Sequence, residues 1–225
     1  MSSERGAGVP GADVPDNRGR TGLDRAGLEL RRNPGVVVRN VEVTSNGWHV
    51  LRRTTFEFRR RDGSWETQHR ETYDRGDGAA VLPYDPARRT VLLTRQFRYP
   101  AYVNDHADGM LIEVAAGLLD GEDPAGAIRR EAMEELGITL DEPQPVALVY
   151  MSPGSVTEKL HCYAAAYSQR ERVASGGGVR EEEDIEVLEM PFDEALTMTR
   201  DGRIADGKTL LLLQWAALSG PFAAR

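Results

Sequence analysis

The stretch Gly117-Leu118-Leu119-Asp120-Gly121-Glu122-Asp123-Pro124-Ala125-Gly126-Ala127-Ile128-Arg129-Arg130-Glu131-Ala132-Met133-Glu134-Glu135-Leu136-Gly137-Ile138 reads as a loop running into a helix. Asp123 is a good N-cap, Pro124 takes the first helical position, where its missing N–H costs nothing, and Gly137 supplies the stop. Ala127, Ile128, Ala132 and Leu136 form one apolar stripe and leave the carboxylates on another face. Glu131, Glu134 and Glu135 crowd into little more than one turn, and Glu131 and Glu135, four residues apart, project from the same side. Two like charges held that close repel unless a cation sits between them. Hard oxygen ligands at this spacing suit Mg²⁺, which takes one or two carboxylates and fills its shell with water and substrate phosphate. An ordinary exposed acidic helix also carries such pairs, with Arg129 and Arg130 as ion-pair partners, so the flanking residues have to decide.

They do. Arg130-Glu131-Ala132-Met133-Glu134-Glu135-Leu136-Gly137-Ile138 resembles the second half of the Nudix box, Arg-Glu-apolar-any-Glu-Glu-any-Gly-apolar, at every position. The first half departs from that pattern. Counting from Gly117, the expected glutamate falls on Asp123; counting back from Arg130 it falls on Glu122, and the loop is one residue short. The helical carboxylates are untouched by this difference. From about Trp48 to Leu218 the chain is similar to the GDP-mannose hydrolases, a sugar-nucleotide branch of the superfamily that shares the shortened loop. The likeness is carried by Arg70-Glu71-Thr72-Tyr73-Asp74-Arg75-Gly76, Arg95-Gln96-Phe97-Arg98 and Tyr150-Met151-Ser152-Pro153-Gly154. It continues through Gly176-Gly177-Gly178-Val179, Asp184-Ile185-Glu186-Val187-Leu188-Glu189 and Asp206-Gly207-Lys208-Thr209. The ADP-ribose and UDP-glucose pyrophosphatase branches share some of these segments.

The whole chain sets limits on function. Its 225 residues fit one ordinary domain with extensions, and 40% hydrophobic residues suffice for a core. A net charge of −8 argues against a nucleic-acid or anionic-membrane surface, and means that a polyphosphate substrate needs local cations. The single cysteine, Cys162, lies in the apolar run Leu160–Tyr167 and reads as a buried core thiol, which fits a reducing cytoplasm. The longest apolar span, Leu210–Leu213, is too short to cross a membrane, and the N-terminus lacks a signal-peptide core.

Residues 1–34 are rich in Gly, Pro, Arg and Asp and read as a disordered or loosely attached extension. Strands are expected at Val36–Val43, at Trp48–Arg60 and Trp65–Arg75 (joined by the turn Arg61-Asp62-Gly63-Ser64), and at Ala79–Tyr84 and Val91–Phe97. Leu111–Ala115 leads into the box, and Pro145–Met151, Leu160–Tyr167 and Ile185–Met190 follow. Phe192–Thr199 and Lys208–Leu218 close the chain as helices. This order fits an α/β fold, a mixed sheet with helices on both sides, as does the Nudix α/β/α sandwich. Residues 35–76 are expected to form a small N-terminal antiparallel sheet for dimerisation, and 77–220 the hydrolase domain. The resemblance implies a homodimer with a swapped N-terminal segment.

The resemblance also implies a site. Glu131 and Glu135 are its metal ligands, with the main-chain carbonyl of Ala116, and Mg²⁺ is the cofactor, with Mn²⁺ as a substitute. Gly117 lets the backbone approach phosphate closely. Glu134 is open to a second ion or to pairing with Arg130. A third carboxylate must come from Glu181, Glu182, Glu183 or Asp184, beyond the flexible Ser175–Gly178 stretch; alignment on Asp184-Ile185-Glu186 selects Glu183 as ligand and catalytic residue. Arg98 corresponds to a substrate-contacting arginine, whose guanidinium suits phosphate. Trp48 with His69, Arg70 and Glu71 corresponds to positions that contact nucleotide across the dimer, Trp48 being equally suited to sheet packing. Leu118, Glu158, Glu182 and Lys208 match other substrate positions. His49, His106 and His161 show no metal-ligand spacing. The implied reaction is Mg²⁺-dependent hydrolysis of a nucleoside diphosphate sugar, foremost GDP-mannose. ADP-ribose is the alternative within the class, and a non-catalytic nucleotide-sugar sensor is the alternative outside it.

Overall fold

The computed structural model describes residues 9–12, 32–119, 121–178 and 184–223. The chain divides into two units, Met1–Arg75 with Ser152–Glu158, and Gly76–Met151 with Lys159–Arg225.

The first unit is built on three antiparallel strands in sequence order, β1 (Val36–Asn46), β2 (Val50–Arg59) and β3 (Trp65–Asp74). Val36 faces Phe58 and Val38 faces Phe56 across β1 and β2, pairs of β-branched and aromatic residues that favour a sheet. The β2–β3 turn falls where the sequence puts it, because the Asp62 carboxylate accepts from both the N–H and the hydroxyl of Ser64. β1 runs past the expected Val43, absorbing register shifts between Val38 and Asn40 and between Val43 and Ser45. β2 starts at Val50 rather than Trp48, and Trp48 stands in the β1–β2 turn with 76% of its surface exposed. Arg52 is buried and forms an ion pair with Asp74 at 2.9 Å, as a charge in that position requires. Residues 9–12 of the N-terminal extension lie along β1, where the Val41 N–H donates to the Pro10 carbonyl at 2.9 Å and Ala12 is buried. That part of the extension is attached; residues 1–8 and 13–31 lie outside the described residues.

The second unit is a seven-stranded mixed sheet whose main path runs β10-β5-β4-β9-β8. Its strands are β4 (Gly78–Asp85), β5 (Thr90–Phe97), β6 (Met110–Glu113), β7 (Ala115–Leu118), β8 (Gln144–Val149), β9 (Leu160–Ala166) and β10 (Glu186–Pro191). β4 and β9 run parallel and lie at the centre. Alternation along them supplies two cores. Ala79, Val81, Tyr163 and Ala165 pack against Ile128, Ala132 and Leu136 of α2 (Pro124–Leu136). Ala80, Leu82, Leu160 and Cys162 pack on the other side, against Phe192, Ala195 and Met198 of α3 (Phe192–Arg200) and Leu212, Leu213 and Ala216 of α4 (Gly207–Leu218). A central strand buried on both faces needs apolar residues at consecutive positions, which β4 has. The layers are helix, sheet and helices, the fold of an α/β/α sandwich.

One expected strand proves to be two. β4 and β5 pair directly only at Tyr84–Val91 and Asp85–Thr90. Beyond that they part, and the chain from 110 to 118 fills the wedge, β6 pairing with β5 and β7 with β4. The break falls at Val114, between the strands, so Glu113 sits at the change of partner. Ala115 packs in the α2 core and Gly117 lies against Glu131 of α2, while the Ala116 side chain packs on the other face. A four-residue helix, α1 (Tyr99–Tyr102), follows β5 with Pro100 in its first turn, and was not anticipated from the sequence. Among the described residues no helix is long and apolar enough to cross a membrane.

Candidate active site

α2 is held at both ends by the residues that mark it in the sequence. The Asp123 carboxylate accepts from the N–H groups of Ala125 and Gly126 at 3.1 and 2.9 Å, satisfying donors that a helix start leaves open. Gly137 takes the left-handed conformation at φ 68° and closes the helix on the Met133 carbonyl. A side chain there would also overlap the backbone of Ala174, because residues 173–178 cross the end of α2. The N–H groups of Val173 and Ala174 donate to the Gly137 carbonyl, that of Gly177 to the Glu135 carbonyl and that of Gly178 to the Glu134 carbonyl, at 2.9 to 3.1 Å. The glycine-rich stretch expected to be flexible is therefore tied to the helix that carries the carboxylates.

Glu135 is 7% exposed, and its Oε2 accepts the Ala116 N–H at 3.2 Å. Burial, then the charge of Glu131, pushes its pKa up to about 8, against the opposing pull of the Ala116 N–H and Arg98. Glu131 lies against Gly117: a Cβ at 117 would overlap the Glu131 carboxylate. Two carboxylates and the Ala116–Gly117 backbone thus converge on one side of α2. The donors are all oxygen, and an acid whose charged form is disfavoured by burial and then by its neighbour is what a divalent cation would relieve, so these residues fit a hard metal ion. Among the described residues no three His, Cys, Asp or Glu side chains gather as a complete metal cluster; Glu181, Glu182 and Glu183 lie outside them. Arg130 lies 2.9 Å from Glu131, 3.1 Å from Glu134 and 3.3 Å from Glu122. Glu134 thus shares Arg130 with Glu131.

Beside the carboxylates lies a cationic group that the sequence only half revealed. Arg98, on the exit from β5, donates from Nε and Nη2 to Glu113 Oε2 at 2.9 and 2.5 Å. Lys208, in the first turn of α4, donates to Glu113 Oε1 at 3.2 Å and to Asp206 at 2.9 Å. Asp206 also caps α4, accepting from the Thr209 N–H and hydroxyl, while the Thr209 hydroxyl accepts the Val114 N–H. Arg98 and Lys208, expected from the sequence, are brought together by Glu113, which was not. A signal existed: Glu113 is the one charge in the apolar run Met110–Ala116, and such a charge needs partners.

The other expected positions belong to the first unit. Trp48 stands exposed in its turn. His69, Arg70 and Glu71 are exposed on β3, with His69 Nδ1 3.0 Å from the Thr55 hydroxyl and Glu71 paired to Arg53 at 3.2 Å. Glu158 lies 3.6 Å from Arg75. In the second unit, Leu118 is half-buried at the end of β7. Cys162 is buried and its thiol is pushed up to about 11 by burial, the behaviour of an inert core cysteine.

With this geometry in place, comparison with known proteins is informative. Residues 35–73 match the model of the GDP-mannose pyrophosphatase NudK N-terminal domain, and residues 74–213 match the NUDIX domain. A GDP-mannose pyrophosphatase of Pectobacterium atrosepticum is 52% identical over 81% of this chain and 94% of its own length. One from Klebsiella pneumoniae is 50% identical over 80% and 90%, and one from Salmonella arizonae 49% over 79% and 93%. On the match to the NUDIX domain and on these relatives, the chain belongs to the Nudix hydrolase family.

Proposed function

We propose that the protein hydrolyses the diphosphate bond of GDP-mannose, releasing GMP and mannose 1-phosphate, with Mg²⁺ as its metal. The observation that carries this reading is the pairing of Glu131 and the buried Glu135 against the Ala116–Gly117 backbone. The names of the relatives support the choice of substrate.

Nudix hydrolases in general use divalent metal ions. Glu131, Glu135 and the Ala116 carbonyl would hold the ion here, with Glu183 as third carboxylate. When bound, the ion neutralises phosphate oxygens and lowers the pKa of a coordinated water. The chain's own part is to bind and orient. Gly117, with Leu118, lets the diphosphate approach the backbone, and a side chain at 117 would collide with the Glu131 carboxylate. Arg98 and Lys208 supply the positive charge that a diphosphate needs in a protein of net charge −8. Glu158 and Glu182 would contact the sugar or phosphate side, and Trp48 with His69, Arg70 and Glu71 the nucleotide. Residues 35–76 would serve as the dimerising segment, swapped between two copies, residues 77–220 as the hydrolase domain, and the cytoplasm as the working compartment.

The test is a hydrolysis panel of GDP-mannose, ADP-ribose, UDP-glucose and ADP-glucose under Mg²⁺. The highest kcat/KM is expected for GDP-mannose; a higher value for ADP-ribose would overturn the choice of substrate.

A further inference from the structure

We infer that Glu113 is a positioning residue that fixes Arg98 and Lys208 as a single diphosphate grip. The inference rests on the reading of the site as one for a nucleoside diphosphate, and adds to it a residue that touches neither metal nor substrate.

Glu113 divides its two oxygens between two cations: Oε2 takes two donors of Arg98, and Oε1 takes Lys208. Its side chain is only 5% exposed, that of Lys208 13% and that of Arg98 40%. The gradient has a direction. The carboxylate lies deepest, and the guanidinium it holds reaches toward solvent. With Nε and Nη2 bound to Glu113, the plane of the Arg98 guanidinium is fixed and Nη1 is left as a donor for an anion. An arginine free at the end of its stem would spread that donor over many rotamers, and ordering it on binding costs affinity. Lys208 is held from two sides, by Glu113 and Asp206.

The backbone makes Glu113 a rigid support. Its carbonyl accepts the Thr94 hydroxyl at 3.2 Å. The next N–H, of Val114, donates to Thr209 at 2.8 Å, which ties the change from β6 to β7 to the first turn of α4. One short segment therefore sets where Arg98 stands at the end of β5 and where Lys208 stands at the start of α4. The same segment continues within three residues to Ala116, whose N–H meets Glu135. The grip and the carboxylate pair are thus mounted on one piece of chain.

The alternative role for Glu113 is a charge screen, which would weaken anion binding by neutralising the cations. The two roles predict opposite outcomes. Inorganic pyrophosphate is the probe, measured by calorimetry on the full chain with Mg²⁺ present, alongside kcat and KM for the preferred nucleotide sugar. Support predicts that Glu113→Gln weakens pyrophosphate about tenfold and raises KM by a similar factor with a smaller effect on kcat. Glu113→Asp keeps the charge, but one methylene shorter it cannot span both cations, and it should lose nearly as much. In the Arg98→Ala background, Glu113→Gln should cost less than half as much on a logarithmic scale, because the effect passes through Arg98. Tighter pyrophosphate binding in Glu113→Gln, a near-normal Glu113→Asp, or full additivity with Arg98→Ala would each overturn the inference. A wild-type protein that binds pyrophosphate but turns over no nucleotide sugar would sink the proposed function while leaving the calorimetric series to decide the role of Glu113.

Discussion

The carboxylate of Glu135 accepts the main-chain N–H of Ala116 at 3.2 Å, joining the helix that carries the acidic pair to the strand that carries Gly117. That bond fixes where Glu135 can point, and burial keeps it there. It also separates two properties of Glu135, shape and charge, that substitutions can test one at a time.

Glu135→Gln keeps the size and an oxygen to accept the Ala116 N–H, and removes only the charge. Turnover at saturating Mg²⁺ is expected to fall at least about a hundredfold, comparable to losing one strong electrostatic stabiliser. Steady-state kinetics checks this; near-normal turnover would remove Glu135 from the metal site.

The same substitution has the opposite effect on metal-free stability. The Glu135 carboxyl is raised from 4.5 to about 8 on folding. Its contribution is therefore fully present below about pH 4.5 and is lost as pH rises through about 8, where the folded state must hold a charge it disfavours. In EDTA at pH 8, Glu135→Gln is expected to be more stable than the wild type, on the order of a few kcal/mol, and so to melt higher, and at pH 5 the two should converge. Melting curves at both pH values decide it; a variant less stable than the wild type at pH 8 would contradict the assignment. Adding Mg²⁺ at pH 8 should raise the wild-type melting temperature and leave the variant nearly unmoved.

Gly117 should tolerate nothing larger. A Cβ would overlap the Glu131 carboxylate, so Gly117→Ala must displace Glu131 or the strand. Activity is expected to fall by about tenfold or more, since small misplacements of binding groups are costly in rate, while circular dichroism stays close to wild type. Unchanged kcat/KM would show that the close approach has no function.

The first unit carries His69, Arg70 and Glu71 exposed on β3. If sites are shared in a dimer, mixing inactive Glu135→Gln chains with inactive Glu71→Ala chains should restore part of the activity. Sedimentation that finds an active monomer at assay concentration would exclude this.

The parts of the fold and site that could be read from the sequence are those whose determinants are local. Asp123, Pro124, the apolar stripe and Gly137 lie within one helix and its caps, and they gave its limits as observed. Glu113 escaped because its partners, Arg98 and Lys208, are 15 and 95 residues away. The division of 110–118 into two strands escaped for a related reason: a continuous apolar run does not reveal that the chain changes partners midway. Residues 175–178 looked free because they are rich in glycine, yet positive φ values at Gly176, Gly177 and Gly178 shape them to the end of α2. The strand expected from Trp48 begins only at Val50, because the chain bends at 47–49, where the Gly47 N–H donates to the His49 carbonyl at 3.2 Å. The third carboxylate, Glu183, lies outside the described residues.

Metal-dependent cleavage between the two phosphorus atoms of a nucleotide sugar leaves two phosphomonoesters. Phosphorus NMR of GDP-mannose incubated with the protein and Mg²⁺ tests it most directly. GMP and mannose 1-phosphate should appear in equal amounts, with no turnover in EDTA and at least about a hundredfold less with Glu135→Gln. Release of GDP and free mannose, or the same product formation in EDTA, would contradict it.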